Sequence, residues 1–324
     1  MSQDILVTGA AGFVGQHLVE TLVRKGHRVT AVDIRHDPDL AYDEHLGDNA
    51  EYLRGSILNR DFVDNVVFPT PHAYDKVFHL AAVVGVDRYV DIDDPLHIVN
   101  VNINGTRRIL DRIRGTETDF VYTSTSEVYG RNPDIPWKEG ADRVLGPTTV
   151  SRWSYSSTKN VCEHMIHILA ENDELNASVV RPFNLYGPYQ RPSFVIPKFI
   201  QMALDGEPPT VYGDGTQKRC FTFIGDFIDG IIAASERSQT VPRTFNLGGT
   251  REIEIQELAE VIVDAVGLDA EPVYTEPEAE LNGDYDQPDR RIPDIERARE
   301  HLDWEPTTLL SEGVEQTVES MRSN

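Results

Sequence analysis

Residues 5–15 read Ile-Leu-Val-Thr-Gly-Ala-Ala-Gly-Phe-Val-Gly, and they are the strongest indication of the fold in the chain. The apolar run Ile5–Thr8 is typical of a buried strand, and the glycines that follow it have the spacing GxxGxxG. Such glycines let the backbone turn tightly into a helix whose first N–H groups can bind a pyrophosphate. The residues predicted to bind a dinucleotide there are Gly9, Gly12, Phe13, Val14 and Gly15.

An acidic residue follows at the end of the second predicted strand. Asp33 closes the strand Arg28–Asp33, 18 residues after Gly15, where a carboxylate can accept hydrogen bonds from a ribose hydroxyl. Arg35 is close enough to be considered for a 2′-phosphate, but Asp33 would repel that phosphate. The sequence therefore favours NAD over NADP as the cofactor.

Strands and helices alternate along the first half of the chain. Apolar runs predict further strands, which are Lys76–Leu80, Asp119–Thr123 and Ala177–Arg181. Amphipathic helices are predicted over residues 13–25, 95–113 and 155–171. This order is typical of an α/β fold, a doubly wound parallel sheet covered by helices on both faces. After Pro182 proline and glycine become dense, which predicts a smaller α+β lobe from that point.

The composition excludes several classes of protein. The 324 residues include 54 Asp and Glu against 30 Lys and Arg, a net charge of −24 that predicts an acidic surface and no nucleic-acid or membrane partner. No apolar run reaches the roughly 20 residues of a membrane helix, and the N-terminus has no basic signal region, so we expect a cytoplasmic protein. Two cysteines without metal-ligand spacing predict no metal site.

A phenol and an amine lie four residues apart in Tyr155-Ser-Ser-Thr-Lys159 and therefore share one helix face. A phenol is a poor base at neutral pH, but a neighbouring cation favours the phenolate and lowers its pKa. Hydroxyls and a carboxylate follow the strand Asp119–Thr123, at the sheet edge where ligands of open α/β sheets bind. The predicted catalytic residues are Thr125, Ser126, Glu127, Tyr155 and Lys159, and the last two are also predicted cofactor contacts.

Together these motifs resemble those of the extended short-chain dehydrogenases/reductases, and among them the NAD-dependent nucleotide-sugar epimerases, dehydratases and decarboxylases. The resemblance covers nearly the whole chain and includes residues 79–82 (HLAA), 102–106 (NINGT), 181–188 (RPFNLYGP), 219–222 (RCFT) and 291–294 (RIPD). It implies a Rossmann-type NAD-binding domain over residues 1–181 and a nucleotide-sugar-binding lobe over residues 182–324, with segments that can interleave.

The resemblance also implies roles for single residues. Further cofactor contacts would come from Ile57, Leu80, Ala81, Ala82 and Asn102, although Ser56 departs from the Asp that the family commonly has there. Substrate contacts would come from Tyr89, Arg152, Asn184, Arg219 and Arg291. Of these, Asn184, Arg219 and Arg291 would hold the diphosphate and nucleotide, since a guanidinium group suits phosphate geometry. Tyr155 and Thr125 would meet the sugar 4-hydroxyl while NAD takes hydride from C4. The resulting 4-ketose is later reduced again, so no net redox change is expected.

Three reactions can follow the ketone: loss of CO2 from a C5 carboxylate, elimination of the C6 hydroxyl, or reduction from the other face. Glu127 argues against plain epimerisation, since epimerases of the family usually have small neutral residues there. Arg152 and residues 218–222 (KRCFT) are similar to the UDP-glucuronate decarboxylases, and Arg152 could bind the substrate carboxylate. The sequence therefore favours decarboxylation of UDP-glucuronate, with a 4,6-dehydratase or a UDP-sugar 4-epimerase as the alternatives.

Two other classes stay open at this point. A non-catalytic NAD-sensing binding protein would typically lack the Tyr or the Lys, and both are present here. An ordinary dehydrogenase would release NADH in proportion to its substrate. The expected partner is a nucleotide sugar, with a UDP-sugar favoured. The resemblance also implies a homodimer, in which the helices over residues 95–113 and 155–171 of two copies form a four-helix bundle.

Overall fold

Strands and helices alternate in the computed structural model, which describes residues 1–35, 49–70, 72–84, 96–237, 243–276 and 290–323. The strands are β1 (Asp4–Thr8), β2 (Arg28–Asp33), β3 (Ala50–Arg54), β4 (Lys76–His79), β5 (Asp119–Thr123), β6 (Asn176–Pro182), β7 (Leu185–Tyr186), β8 (Thr210–Tyr212), β9 (Lys218–Cys220), β10 (Thr222–Phe223), β11 (Thr244–Leu247), β12 (Glu252–Glu254) and β13 (Val273–Thr275).

Among the described residues most helices are regular, but two contain a π-helical turn. They are α1 (Phe13–Arg24), α2 (Arg60–Phe62, continued by a π turn over Val63–Val67), α3 (His97–Val99, continued by a π turn over Asn100–Gly105), α4 (Thr106–Ile113), α5 (Trp153–Glu171), α6 (Val195–Leu204), α7 (Ile224–Glu236), α8 (Ile255–Val266), α9 (Glu296–Leu302) and α10 (Leu310–Ser323). A 3₁₀ turn covers Ser126–Tyr129. Within the described residues no helix combines the length and apolar character needed to cross a membrane.

Seven strands form one sheet in the order β11-β6-β5-β4-β1-β2-β3. β1 pairs in parallel with β2 on one side and with β4 on the other, and β5 pairs in parallel with β4 and β6. The strand order reverses between β1 and β4, and ligands of such sheets bind beside that switch point at the carboxyl ends of the strands. The predicted α/β class, with a doubly wound parallel sheet, is confirmed.

Contacts between Cα atoms divide the chain into two compact units. The first unit comprises residues 1–130, 143–181 and 231–245, and the second comprises residues 131–142, 182–230 and 246–324. The assignment of NAD binding to residues 1–181 and of nucleotide-sugar binding to residues 182–324 stays a prediction.

The core of the first unit lies between the sheet and its helices. Leu6, Val77 and Phe120 on the strands are at most 1 % exposed, and they pack in one cluster with Ile109 of α4 and Ile166 of α5. Burying a side chain of this size contributes about 1.5–3 kcal/mol. This packing fixes α5 on the sheet, and with it the helix face that carries Tyr155 and Lys159.

The described residues of the second unit form three small sheets. β7 pairs with β10 and β8 pairs with β13, both in parallel, whereas β9 and β12 are antiparallel. Helices α6 and α10 both pack against α8. Buried apolar side chains form its interior, among them Phe199, Ile200, Leu258, Ile262 and Val314.

The predicted elements have nearly the observed bounds, but two strands of the large sheet were not predicted. β3 lies at the sheet edge and is half exposed, so its sequence Ala-Glu-Tyr-Leu-Arg has no apolar run. β11 is only four residues long and lies in the part where we predicted a separate lobe. The helix predicted over residues 95–113 starts at His97 in the described residues and contains a π turn, while Pro95 lies outside them.

Candidate active site

The glycine-rich loop lies between the end of β1 and the start of α1 in the first unit. Gly9 has φ +74°, and a Cβ on it would lie 2.7 Å from the backbone nitrogen of Ala81. A Cβ on Gly15 would lie 2.7 Å from the Cα of Ala10, so only glycine allows the helix to pack this closely. Gly12, the N-cap of α1, has no side chain to cap the first N–H groups. The loop therefore fits the pyrophosphate of a dinucleotide.

Asp33 ends β2 beside this loop. Its carboxylate accepts hydrogen bonds from the N–H groups of Ala11, at 3.0 Å, and Arg35, at 3.1 Å. The Arg35 side chain donates to the carbonyl of Ala11 at 2.8 Å. These bonds hold the carboxylate at the rim of the loop, a position that fits an acceptor for ribose hydroxyls.

Asn102 links the segment after β4 to the catalytic helix. Its side-chain oxygen accepts from the N–H of Val83 at 2.9 Å, and its amide nitrogen donates to the hydroxyl of Thr158 on α5 at 3.1 Å. The predicted cofactor residues Leu80, Ala81 and Ala82 immediately precede Val83. Asn102 thus fixes the backbone of that segment beside the glycine loop, and its own contact with a cofactor stays a prediction.

The remaining predicted cofactor residues lie on two other elements. Phe13 and Val14 are the first residues of α1 and are half buried. Ile57 follows β3 and is buried in the core cluster against Gly105, where a Cβ would collide with the Ile57 side chain. Ile57 therefore packs in the hydrophobic core, and its predicted contact with the cofactor stays a prediction.

The hydroxyl residues follow the carboxyl end of β5. Thr125 is the N-cap of the 3₁₀ turn, and its side-chain oxygen accepts from the N–H of Glu127 at 3.2 Å. The Thr125 hydroxyl also forms a hydrogen bond with the phenol of Tyr155 on α5. Ser126 is buried beside them, whereas the Glu127 side chain is partly exposed. The structure therefore brings together the hydroxyl and the phenol that the sequence predicts to act as a pair.

Lys159 lies one helical turn after Tyr155 and is buried. Its ammonium donates to the carbonyl of Thr123 at 2.7 Å. It lies 4.6 Å from the ring centre of Tyr122 and 5.9 Å from that of Tyr155. The carbonyl and the electron-rich ring faces stabilise the cation. Phenol and amine are neighbours, as their spacing predicts.

The pKa of Tyr155 differs from the prediction that Lys159 would lower it. Burial, followed by the negative charge of Glu127, raises the pKa of Tyr155 well above its usual value, and the hydrogen bond with Thr125 reverses this only in part. Burial also lowers the pKa of Lys159 to about 8. The prediction is wrong for the protein's own groups, because burial disfavours the charged forms of both the phenol and the amine.

Arg152 lies three residues before Tyr155, at the N-cap of α5, and is 2 % exposed. Its Nη2 atom is 3.8 Å from Oε1 of Glu127, and its guanidinium lies 5.3 Å from the ring centre of Trp153. In the described part of the chain, its Nε and Nη1 atoms are buried and have no hydrogen-bond partner. Buried guanidinium nitrogens are normally hydrogen-bonded, so these two can still donate to a further acceptor.

Three predicted substrate residues lie in the second unit. Asn184 has φ +38°, and its amide donates to the carbonyl of Cys220 at 2.8 Å. Arg219, the neighbour of Cys220 on β9, is partly exposed, whereas Arg291 is buried. Their contacts with a substrate stay predictions. Tyr89, also predicted to touch the sugar, lies outside the described residues.

Comparison with known proteins decides the family. Residues 5–248 match the model described as the NAD dependent epimerase/dehydratase family. The chain belongs to this family. The match covers the glycine loop, the hydroxyl residues and the Tyr/Lys pair. The match confirms the predicted family resemblance, and with it NAD as the cofactor.

Relatives within the NAD-dependent epimerase/dehydratase family carry more than one activity in their names. The chain is 34 % identical to a UDP-N-acetyl-alpha-D-glucosaminuronate decarboxylase of Bacillus cytotoxicus, over 99 % of this chain and 98 % of that protein. It is 33 % identical to UDP-glucuronic acid decarboxylase 1 of Xenopus tropicalis, over 98 % of this chain and 72 % of that protein. A crystal structure of UDP-glucuronic acid 4-epimerase from Bacillus cereus, solved with UDP-glucuronic acid and NAD, matches with a TM-score of 0.83 and 29 % identity over 99 % of both chains.

The structure also shows buried charges that are not among the predicted site residues. Glu163 of α5 and Arg181 of β6 form a buried ion pair directly behind the hydroxyl residues. Glu163 lies four residues after Lys159, which places both side chains on one helix face. That spacing was a signal in the sequence, but an acid on a helix is usually solvent-exposed, and only the fold shows that this one is buried.

Proposed function

We propose that this family member decarboxylates a UDP-linked uronic acid through a 4-keto intermediate, with UDP-glucuronate as its substrate. The proposal is supported by the relatives named as decarboxylases and by a site that offers a buried cation to a sugar carboxylate. A UDP-sugar 4-epimerase is the second candidate, because the Bacillus cereus structure that this chain resembles is named as an epimerase of the same uronic acid.

The proposal depends mainly on the burial of the Arg152 guanidinium. Buried polar groups are normally hydrogen-bonded, and a buried guanidinium with two unpartnered nitrogens is costly unless an anion completes it. Glu127 forms an ion pair with one side of Arg152, at 3.8 Å from Nη2. The buried Nε and Nη1 atoms, which have no partner among the described residues, can serve a second carboxylate. A neutral hexose has no such group, whereas a uronic acid has one at C5.

The first chemical step requires removal of the 4-hydroxyl proton and a hydride. When bound, NAD⁺ would supply the hydride acceptor and a positive charge. Tyr155 takes the hydroxyl proton, and Thr125 donates a hydrogen bond to the phenolate that stabilises its charge. Lys159, a predicted cofactor contact, is assigned to holding the cofactor beside Tyr155. These three side chains oxidise nothing themselves. They bind and orient the reacting groups, and Tyr155 moves the proton.

The second step follows from the ketone. A carboxylate at C5 is then β to a carbonyl, so the C5–CO2 bond can break and leave its electron pair in an enolate. We assign to Glu127 and Ser126 the control of the proton that C5 receives, because they follow Thr125 directly. Asn184, Arg219 and Arg291 are assigned to the diphosphate and nucleotide of the substrate.

Mass spectrometry of the nucleotide products tests the proposal. The purified protein is incubated with UDP-glucuronate, and in parallel with UDP-N-acetylglucosaminuronate, at low and at high salt. Loss of the mass of CO2 with UDP retained is the expected result. An unchanged mass with an altered sugar configuration would show the epimerase instead. Loss of water from a UDP- or dTDP-hexose would show a dehydratase, and steady NADH release would show an ordinary dehydrogenase.

Arg152→Met is expected to reduce the preference for UDP-glucuronate over UDP-glucose. Hydrogen bonds to a charged group contribute about 1.5–3 kcal/mol, so the ratio of the two binding constants should fall by about 10- to 150-fold. Binding of the two nucleotide sugars is measured by titration calorimetry. Met keeps the length of the side chain and removes its charge.

Arg237→Met serves as the matched control for that substitution. Arg237 is a partly buried arginine of the same unit that donates to the hydroxyl of Ser178 at 2.6 Å, away from the predicted site. Its substitution should leave the ratio unchanged. An unchanged ratio in Arg152→Met would mean that Arg152 only holds Glu127 and that the carboxylate is bound elsewhere.

We further propose that the protein is a cytoplasmic homodimer that pairs α3–α4 and α5 of two copies. The proposal is supported by apolar side chains on these helices that are exposed in the single chain, namely Val99, Val161 and Ile168. Light scattering should give twice the mass of one chain. An Ile168→Asp variant should give the mass of one chain, and a monomeric wild type would contradict the proposal.

A further inference from the structure

A buried ion pair lies directly behind the predicted catalytic residues. Arg181 donates from Nε to Oε1 of Glu163 at 2.9 Å and from Nη2 to Oε2 at 2.5 Å. This is the two-pronged geometry in which arginine binds a carboxylate most strongly. Side-chain exposure is 2 % for Arg181 and 7 % for Glu163, so both charges are removed from water.

Two hydroxyl groups also bind the pair, and they lie at the two ends of one short segment. The hydroxyl of Ser124 donates to Oε1 of Glu163 at 2.5 Å. The hydroxyl of Tyr129 accepts from Nη1 of Arg181 at 2.8 Å. Ser124 immediately precedes Thr125, and Tyr129 is the last residue of the 3₁₀ turn that Thr125 caps. Both ends of the segment Ser124–Tyr129 are therefore tied to the same two charges.

The ion pair also connects this segment to the catalytic helix and to the sheet. Glu163 lies on α5 two turns after Tyr155, and Arg181 lies on β6. Burial would raise the pKa of Glu163, but the charge and hydrogen bonds of Arg181 and the bond from Ser124 outweigh it and lower that pKa. The carboxylate is thus ionised at neutral pH, and the network is held by charge as well as by hydrogen bonds.

We infer that Glu163 and Arg181 are positioning residues that hold Thr125 at hydrogen-bond distance from Tyr155. The inference rests on the proposed function for its catalytic readout, but the network itself does not depend on the identity of the substrate. If it loosens, the segment Ser124–Tyr129 can shift against α5. The hydrogen bond from Thr125 to the phenol is then the first to be lost, since Thr125 lies next to Ser124.

Glu163→Gln is expected to lower kcat for CO2 release by about 10- to 100-fold with little change in KM, because a displacement of about 1 Å at the reacting groups can cost 10²-fold. The variant keeps the side-chain shape and removes the charge. Steady-state kinetics with UDP-glucuronate measures both constants. A KM that rises while kcat is unchanged would overturn the inference.

The pH profile distinguishes positioning from a loss of stability. Tyr155 faces Thr125 and Glu127 of the segment, Lys159 of its own helix and Tyr122 of β5. The bond from Thr125 lowers the pKa of Tyr155, so its loss raises that pKa. The acid limb of kcat should therefore move to higher pH, by about 0.5–1 pH unit for a hydrogen bond of about 1 kcal/mol.

Ser124→Ala and Tyr129→Phe are the variants for this measurement. Each removes one bond of the network and leaves every charge in place, so a shift of the pH limb reports position alone. They also keep the test decisive if Glu163→Gln does not fold. A fall in kcat with an unmoved pH limb in both variants would overturn the inference.

A buried acid of the second unit provides the control. Glu139 accepts from the N–H of Asn246 at 3.0 Å and lies 3.6 Å from Arg297. Glu139→Gln should lower the thermal unfolding midpoint and leave kcat and its pH limb unchanged. If it moves the limb as Glu163→Gln does, the effect is general and the inference is wrong.

Hydrogen exchange separates this inference from the proposed function. In the holoenzyme, Glu163→Gln should speed amide exchange in peptides covering residues 124–130 and leave the peptides of β8 and β9 unchanged. This result is expected even if the wild type does not act on UDP-glucuronate. Unchanged exchange in residues 124–130 would overturn the inference while the proposed function stands.

Discussion

Tyr155→Phe is expected to lower the rate of CO2 release from UDP-glucuronate by about 10²–10⁴-fold, the usual contribution of a positioned acid or base. The substitution removes only the phenolic oxygen, which bonds to Thr125 and is the acceptor for the 4-hydroxyl proton in the proposed mechanism. Without that acceptor the first step fails, so the near-ultraviolet absorbance of reduced cofactor should not appear either. Product analysis and absorbance are followed in one experiment.

Tyr74→Phe is the matched control for this prediction. Tyr74 belongs to the same unit, and its hydroxyl donates to the carbonyl of Val67 at 2.8 Å, away from the hydroxyl residues that follow β5. It should lose some stability and keep its rate. If Tyr155→Phe retained most of the wild-type rate, another residue would have to take the proton, and the assignment of the base would be wrong.

The pH dependence of the wild type follows from the same groups. Burial and Glu127 raise the pKa of Tyr155, so the protein alone keeps the phenol protonated at neutral pH. The hydrogen bond from Thr125 favours the charged phenolate, and NAD⁺, when bound, would add a positive charge to the site. We therefore expect kcat to rise with pH on its acid limb. With the Thr125–Tyr155 hydrogen bond intact, this rise should occur at lower pH than in a variant that has lost the bond.

Parts of the fold could be predicted because they depend on local sequence. The glycine loop, Asp33 and the apolar strand runs determine a parallel sheet with its ligand edge, and those residues lie where their spacing indicates. β3 and β11 were not predicted, since a half-exposed edge strand and a four-residue strand have no distinct pattern. Their place in the sheet depends on pairing with distant strands, which single-sequence patterns do not encode.

The same limit applies to the candidate site. The helical spacing of Tyr155 and Lys159 gave their proximity, but the pKa of Tyr155 depends on burial, which is a property of the folded chain. Likewise the sequence suggested Arg152 as a carboxylate ligand, and only the structure shows that it already pairs with Glu127. Glu163 and Arg181 are 18 residues apart in the chain, and their pairing follows from how α5 packs on β6.

Lys159→Met is expected to reduce activity and raise the stability of the protein. Burial lowers the pKa of Lys159 to about 8 from its usual 10.5, so the folded protein holds the cation at a cost. At about 1.4 kcal/mol per pKa unit this cost is about 3 kcal/mol at neutral pH. Met removes the charge at similar length and loses the bond to Thr123, worth about 1 kcal/mol. The free energy of unfolding should rise by about 1–2 kcal/mol, and the rate should fall by about 10²–10³-fold.

The sign of the pH effect makes this prediction specific. Between pH 8 and 10.5 the unfolded chain binds the Lys159 proton and the folded chain does not, so wild-type stability gains with pH in that window. The variant has no such proton, and its advantage should therefore shrink as the pH rises from 8 to 10.5. Urea unfolding of both proteins at matched cofactor content measures the difference.

Lys76→Met is the matched control. It removes a buried amine bonded to the carbonyl of Ser235 at 3.1 Å, and it should instead lose stability and keep activity. Two outcomes would contradict the prediction: a difference in free energy of unfolding that does not change with pH, or a Lys159→Met variant less stable than the wild type. Either would mean that burying this cation does not destabilise the folded protein, and that the amine lies there because of packing and not because of the chemistry of the site.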